Sequence, residues 1–464
     1  MHEYCIIIYG ASGDLAGRKL LPALYHLVAK HRIERYVIIG VAYEATTADV
    51  LMDRLKTYVQ AVDQSQFDAF RKHFYYRELN FNAYADYEAL KQQMDELITT
   101  YGFTHPRRLI YLAAAADFFC PITEYTARAG IAMRASADDS SWSRLIYEKP
   151  FGSNLATAQA INACIARYFD ESQIYRIDHY LTKELVSNIA LVRFANAVFE
   201  PLWNNRYIDN VQIILHETDT IGNRGAYYDA YGAISDVVQN HMLELLAIIG
   251  METPEHLSGD FIRDRRAQVL EYVHVEDVFL GQYEGYQQEA HVRAHATTET
   301  FAALALRVNN PRWQGVPFYL KTGKALTRKE TKIHIVFKTV TCLTQTCPVQ
   351  ANVLTIEISP EAGFALQLNA KRPGQRNELM PVTMEYCHSC IFGKHEAQAY
   401  ETLLEGVMHG EQSVSVRFDE IEASWRVIDA IHKAEIPVYR YKKGSLGPDE
   451  LADFNTKHAI RWLS

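Results

Sequence analysis

With 464 residues, 48% of them apolar and 22% charged, the chain is long enough for two or three cores, and wholesale disorder is excluded. A formal charge of −9 leaves no excess of Lys and Arg to neutralise a nucleic-acid backbone, although basic groups gathered in one place could still hold a small anion. The first apolar run, Cys5 to Tyr9, starts too early to leave room for a secretory leader, and runs such as Leu109 to Ala116 are far too short to span a membrane; a soluble, cytoplasmic protein is expected.

The first third alternates strand and helix patterns. Tyr4 to Tyr9 reads as a strand, Lys19 to Lys30 has helical spacing, and Tyr36 to Val41 is again a compact apolar run. Helical stretches follow at Val50 to Val62 and Ala85 to Tyr101, then strands at Arg108 to Ala113 and Arg144 to Tyr147. Such alternation predicts a parallel sheet covered on both faces. Ala135 to Ser141 is polar and reads as a surface loop.

After about residue 180 the character changes. Asn210 to His216, Phe301 to Val308, Lys332 to Lys338, Val353 to Ser359 and Phe364 to Ala370 are extended, several with a period of two, which predicts a mainly antiparallel sheet. Helices are expected at Ile234 to Ile249 and Ala397 to Met408. The fold expected is α/β followed by α+β. A Rossmann-type dinucleotide-binding domain takes residues 1–176, and a larger domain for substrate and oligomer contacts takes 177–464.

Seven cysteines, an odd number in a chain large enough to fold without staples, agree with a reducing compartment. Cys342/Cys347 and Cys387/Cys390, the latter pair enclosing His388, could together hold zinc, but the first spacing is loose and neither pair lies in a glycine-rich knuckle. Ordinary free cysteines and no metal are expected.

Gly10-Ala11-Ser12-Gly13-Asp14-Leu15-Ala16 follows the first strand and opens a helix, a G-x-x-G-x-x-A variant of the dinucleotide fingerprint. Glycine permits the turn and the approach of a pyrophosphate to the helix N-terminus, while a small Ala16 permits close helix–strand packing. A tight strand–helix turn without a ligand would look similar; the order strand, loop, helix favours the cofactor. At the end of the second strand lie Tyr43 and Glu44. A carboxylate there can accept both ribose hydroxyls of NAD and would repel the 2′-phosphate of NADP; alternatively it is a solvated loop residue.

Three further segments, Tyr147-Glu148-Lys149-Pro150-Phe151-Gly152, Arg176-Ile177-Asp178-His179-Tyr180-Leu181-Thr182-Lys183-Glu184 and Gln239-Asn240-His241, complete an ordered signature that resembles the glucose-6-phosphate dehydrogenase family. Supporting matches, among them Gly225-Ala226-Tyr227-Tyr228-Asp229 and Thr322-Gly323-Lys324, extend the resemblance along nearly the whole chain. There are departures: Thr182 stands where the family usually has Gly, Ala115-Ala116-Asp117 where many members have a proline, and Tyr43 where NADP-preferring members carry an arginine. The last of these, with Glu44 following, points to NAD, with NADP still possible.

The resemblance implies oxidation of a sugar 6-phosphate at C1. A base must take the C1 hydroxyl proton, and histidine suits that role; a carboxylate on its other nitrogen fixes the tautomer. The family pattern assigns His241 as base and Asp178 as its orienting partner. His179, Tyr180 and Lys183 combine an imidazole, a hydroxyl and a point charge suited to a phosphate monoester, and Lys324 and Lys329 resemble the family's second basic group. Glu217 and Asp236 match carboxylates that hold sugar hydroxyls. Lys149 resembles the lysine lying between cofactor and substrate, with Pro150 following a cis peptide bond. Lys149 and Tyr111 are expected beside the cofactor. Hydride passes directly to the dinucleotide, so no metal is implied. The resemblance further implies a homodimer or homotetramer, a small sugar phosphate as substrate, and neither nucleic acid nor membrane as partner. The same chemistry on another hexose 6-phosphate, such as an amino sugar phosphate, and a non-catalytic binding or regulatory relative are the competing readings.

Overall fold

Every side chain of the run Glu3–Tyr9 is buried, and its alternate residues divide between two cores. Tyr4, Ile6 and Ile8 face one core, with Leu20, Leu24 and Ile38, while Cys5, Ile7 and Tyr9 face another, with Val37, Ile39 and Ile110. A strand apolar at consecutive positions has to be covered on both faces, which only helices on either side of a sheet provide. The computed structural model describes residues 2–59, 63–135, 141–178, 180–181, 184–340, 350–374, 378–392, 399–413 and 415–463.

In chain order the strands of the first region are β1 (Glu3–Tyr9), β2 (Arg35–Ala42), β3 (Phe74–Glu78), β4 (Pro106–Leu112), β5 (Ser143–Tyr147) and β6 (Ile174–Ile177). Next come β7 (Ile208–His216), β8 (Val273–Tyr283), β9 (Phe301–Val308), β10 (Pro317–Gly323), β11 (Glu330–Phe337), β12 (Val353–Ser359), β13 (Gly363–Lys371) and β14 (Leu379–Cys387). The short β15 (Ser415–Val416) and β16 (Val438–Tyr441) complete them. One sheet has the order β15-β6-β5-β4-β1-β2-β3, with β1 to β6 pairing in parallel and β15 antiparallel to β6. The other runs β14-β13-β12-β11-β7-β10-β9-β8-β16 and is mainly antiparallel, with parallel pairs at β7/β10 and β8/β16.

The chain divides into two compact units. The first holds Met1–Thr182, Ser258–Asp260 and Glu396–Ile421; the second holds Lys183–Leu257, Phe261–His395 and Glu422–Ser464. The helix Ala399–His409 thus belongs to the first unit, where Leu403, Leu404, Val407 and Met408 join the core around Leu20 and Leu24. No local pattern announces that return.

Two helices differ from their sequence expectation. Of the stretch expected as Val50 to Val62, the described residues are helical over Ala48–Lys56, begun by the Thr47 hydroxyl accepting from the Val50 N–H at 3.3 Å, and residues 60–62 lie outside the described residues. The stretch expected as one α-helix from Ile234 is a π-helix over Ile234–Met242 and becomes α-helical at Leu243–Gly250. It begins beside Gly232 (φ 63°), and the Ile234 N–H donates to the Glu299 carboxylate at 2.9 Å instead of to an earlier turn.

The expectation of ordinary free cysteines is corrected. Cys120 and Cys164 form a disulfide with Cα atoms 5.9 Å apart, joining the helices Phe119–Arg128 and Leu155–Ala166. Cys387 and Cys390 form a second, whereas Cys5 is free and buried. Packing of helices far apart in sequence sets the first pair, and Cys spacing carries no trace of it. Closing its 44-residue separation constrains the unfolded chain by about 4 kcal/mol in the chain-entropy picture; closing a separation of 3 gives only about 2 kcal/mol. Cys342 and Cys347, like most of the loop expected at Ala135 to Ser141, lie outside the described residues. Among the described residues no group of three or more His, Cys, Asp or Glu is placed to hold a metal ion, and no helix is long and apolar enough to cross a membrane.

Candidate active site

In the first unit, Gly10 ends β1 with φ 86°, and its N–H and that of Ala11 both donate to Val41 O, at 2.7 and 3.1 Å. A Cβ on Gly10 would lie 2.3 Å from the carbonyl oxygen of Ala113, so glycine is required by both conformation and space. Gly13 is different: its Cβ would meet only Gly10 O, at 3.1 Å, and Gly13 and Asp14 are exposed. The turn therefore offers open backbone at a helix start, while Ala11 and Ala16 are buried against the sheet and Ser12 and Leu15 are half-buried. This is the shape a pyrophosphate needs: bare backbone at the turn and no side chain in the way. Arg54 braces the turn from outside, donating to Ser12 O at 2.7 Å and to Asp14 at 3.2 Å, while Arg18 pairs with Asp14 at 3.1 Å.

The two glycines make separable predictions. Gly10→Ala should destabilise the protein by at least ~2 kcal/mol, visible as a lowered urea midpoint, since the side chain meets backbone that cannot yield. Gly13→Ala should leave the midpoint near that of the parent and weaken dinucleotide binding in a fluorescence titration. Equal midpoints for the two variants would show that the turn is not constrained as described.

Tyr43 is 71% exposed just past the end of β2, and Glu44 beside it is exposed. The Glu44 carbonyl accepts the Tyr76 hydroxyl at 2.5 Å, which pins the backbone that carries the carboxylate. Tyr111 lies on β4 between β1 and β5, and its hydroxyl donates to Glu148. Tyr400, 252 residues away and contributed by the returning segment, donates to the same carboxylate at 3.3 Å. Burial raises the Glu148 carboxyl above its ordinary range, against the pull of both phenols and of Lys149. The Lys149–Pro150 bond is cis, as the sequence resemblance implies. Asp178 follows β6, is 2% exposed, and accepts the Tyr180 N–H at 2.8 Å. His179 and Lys183 lie outside the described residues. Glu148 and Tyr400 are absent from the sequence reading. Glu148 stands inside a quoted motif, but nothing in the sequence marks Tyr400 as its neighbour.

In the second unit the parallel pairing of β7 with β10 aligns His216 with Gly323. Glu217 and Lys324, the next residues of each strand, therefore emerge at the same end and pair at 2.5 Å. Antiparallel pairing would have sent them to opposite ends. The loops beyond are tied together as well, Ala325 N–H to Asp219 O at 3.0 Å and Leu326 N–H to Glu217 O at 2.9 Å, with Ala325 held at φ 52°. Lys324 is 8% exposed, and its ammonium lies 5.2 Å from the centre of the Tyr228 ring. The neighbouring Tyr227 donates to Asp236 at 3.2 Å. Lys329 is exposed and lies 3.6 Å from Asp219.

Asp236 and His241 are both buried on the π-helix. They lie five residues apart on it, the i to i+5 step of π-helical hydrogen bonding. Gln239 fixes the helix by donating to the buried Ser424 hydroxyl at 2.8 Å. Glu217, Asp236 and Lys324 are thus linked through Tyr227 and Tyr228, tyrosines that stand in a motif matched in the sequence without being assigned to the site.

A parallel sheet with a glycine turn at the C-terminal end of its central strand, and a second unit built on a mainly antiparallel sheet, together define a two-unit nicotinamide-dinucleotide-dependent oxidoreductase. Residues 7–188 match the family model described as glucose-6-phosphate dehydrogenase, NAD binding domain, and residues 190–463 match glucose-6-phosphate dehydrogenase, C-terminal domain. The chain belongs to the glucose-6-phosphate dehydrogenase family. It is 36% identical to the glucose-6-phosphate 1-dehydrogenase of Bacillus subtilis, covering 98% of this chain and 97% of that one. With that of Streptococcus pneumoniae serotype 4 it shares 37%, over 98% and 96%. A solved glucose-6-phosphate dehydrogenase in complex with its substrate glucose-6-phosphate superposes with a TM-score of 0.91 at 30% identity, covering 100% of this chain and 99% of that one. The enzyme from Mycobacterium avium superposes with a TM-score of 0.86 at 31% identity, over the same shares.

Proposed function

We propose that the chain oxidises glucose 6-phosphate at C1 to 6-phosphogluconolactone, with NAD preferred to NADP. The observation that carries this reading is the second unit's grouping of Glu217, Lys324 and Asp236, with His241 one π-turn from Asp236. Carboxylates and a lysine in one place suit a polyol bearing a phosphate.

Each role follows from its chemistry. The dinucleotide, when bound at the glycine turn, supplies the hydride acceptor. His241 takes the proton of the C1 hydroxyl on an imidazole nitrogen, and Asp178 is the carboxylate that holds that imidazole in the productive tautomer. Glu217 and Asp236 accept sugar hydroxyls. Lys324 and Lys329, with His179, Tyr180 and Lys183, hold the phosphate. Lys149 stands between cofactor and sugar, and Gly10 to Leu15, Tyr43, Glu44 and Tyr111 serve the dinucleotide. Assembly into a homodimer or homotetramer belongs to the same reading, and light scattering on the purified protein measures it.

The decisive assay follows absorbance of the reduced nicotinamide with glucose 6-phosphate or glucosamine 6-phosphate, each with NAD and with NADP. Turnover of glucose 6-phosphate with NAD supports the proposal. Preference for the amino sugar replaces the substrate, and no turnover by folded protein turns the reading towards a binding or regulatory role. For the cofactor, exchanging Tyr43→Arg together with Glu44→Ser should shift the NADP-to-NAD ratio of kcat/KM towards NADP by about 10–100-fold. A like charge beside the 2′-phosphate is removed and a cation added. An unchanged ratio would leave Glu44 as a solvated loop residue.

A further inference from the structure

The motif Cys387-His388-Ser389-Cys390 has no part in the dehydrogenase site. Cys387 is the last residue of β14, the edge strand of the nine-stranded sheet, and Cys390 lies in the short helix His388–Phe392 that follows. The two sulfurs are bonded, the Cys390 N–H donates to Cys387 Sγ at 3.2 Å, and Cys390 is exposed while Cys387 is half-buried. We propose that Cys387 and Cys390 form a reversible dithiol–disulfide centre that exchanges with external dithiols, a redox-modification site separate from hydride transfer.

Three observations converge on this. Thiol–disulfide exchange needs an incoming thiolate to reach one sulfur, and Cys390 is open to solvent. The sulfur that leaves must carry negative charge, and Cys387 Sγ already has a backbone N–H directed at it. The bridge also closes a separation of only 3 residues, too short to serve mainly as a staple for the fold. The other described cysteines differ in access and in span: Cys120 is half-buried, Cys164 is 8% exposed and their bridge closes 44 residues, while Cys5 is fully buried and burial pushes its thiol up to about 12.

The step balances with a dithiol as reductant. Its thiolate attacks Cys390 Sγ, forming a mixed disulfide; the Cys387–Cys390 bond breaks and its electron pair leaves on Cys387 Sγ. The reductant's second thiolate then attacks its own half of the mixed disulfide and releases Cys390. Two electrons enter the protein, the two protons lost by the reductant end on the cysteines, and the reductant becomes a cyclic disulfide.

The test equilibrates full-length protein, in a Cys342→Ser, Cys347→Ser background, with graded ratios of reduced to oxidised dithiothreitol. Acid quenching, maleimide labelling and peptide mass spectrometry then assign each thiol. The Cys387–Cys390 pair should open and reclose as one transition, at a ratio at least tenfold less reducing than Cys120–Cys164 requires. Cys387→Ser and Cys390→Ser should each abolish that transition and leave the other pair's midpoint in place. Failure of the pair to close under oxidising buffer, or opening only at or beyond the ratio that opens Cys120–Cys164, would overturn the proposal.

Discussion

Replacing His241 by Asn is expected to lower kcat with glucose 6-phosphate by about 10³-fold, within the range for loss of a positioned general base. The KM should change little, because the interaction lost is made in the transition state and hardly in the bound ground state. Asn is the right probe because His241 is 3% exposed on a helix held independently, through Gln239 to Ser424 and through Ile234 to Glu299. The fold should survive, and circular dichroism and the melting temperature check that it does. The fall of kcat/KM at acid pH, which reports protonation of the base, should vanish in the variant. If Asp178 orients the base as proposed, Asp178→Asn should lower kcat as well while keeping an acid limb, since the imidazole itself remains. A His241→Asn protein with parental kcat would remove the base assignment and leave the sugar site standing.

The second large effect lies at Glu299, a residue with no place in the sequence reading. Its carboxylate sits over Gly232, where a Cβ would fall 2.2 Å from one oxygen, and accepts the first N–H of the π-helix. Burial raises its carboxyl to about 7 from the ordinary 4.5. The sign of the consequence follows from linkage. The unfolded chain ionises near 4.5 and the folded chain only near 7, so the folded state is favoured fully below 4.5 and loses that advantage as pH rises through 7. The loss amounts to at most about 3 kcal/mol. Melting temperature should therefore decline between about pH 4.5 and 7 and level off above, and Glu299→Gln, which keeps the acceptor oxygen and cannot ionise, should flatten that decline. Glu299→Ala should cost about 1–3 kcal/mol by leaving the Ile234 N–H without its acceptor. It should also lower kcat by about tenfold or more, because the helix carrying Asp236 and His241 loses its anchor. Rescue of activity by Gln distinguishes an anchoring role from a catalytic charge. A pH-independent melting temperature in the parent would contradict the raised ionisation.

Local chemistry was legible in the sequence wherever a pattern repeats over a few residues. The alternation of strand and helix patterns in the first third predicts a sheet covered on both faces, and the residues Tyr4 to Tyr9 of β1 divide between two cores as that requires. The turn Gly10 to Ala16 announced itself because only glycine tolerates the approach of Ala113 at that point. The period of two in Lys332 to Phe337 gave a strand with two unlike faces. What depended on pairing between distant segments was not legible. The parallel register of β7 with β10 brings Glu217 and Lys324 together across 107 residues. The return of Glu396–Ile421 sets Tyr400 against Glu148, and helix packing joins Cys120 to Cys164. The π-helix is a third kind of case: its residues look helical, but the Glu299 carboxylate at its first N–H comes from a segment 65 residues away. Periodicity fixes which face of an element is buried, because that is decided by each residue and its near neighbours. Which element lies beside which, and in what register, is decided by the best total burial of the whole chain, and only the tertiary structure records that outcome.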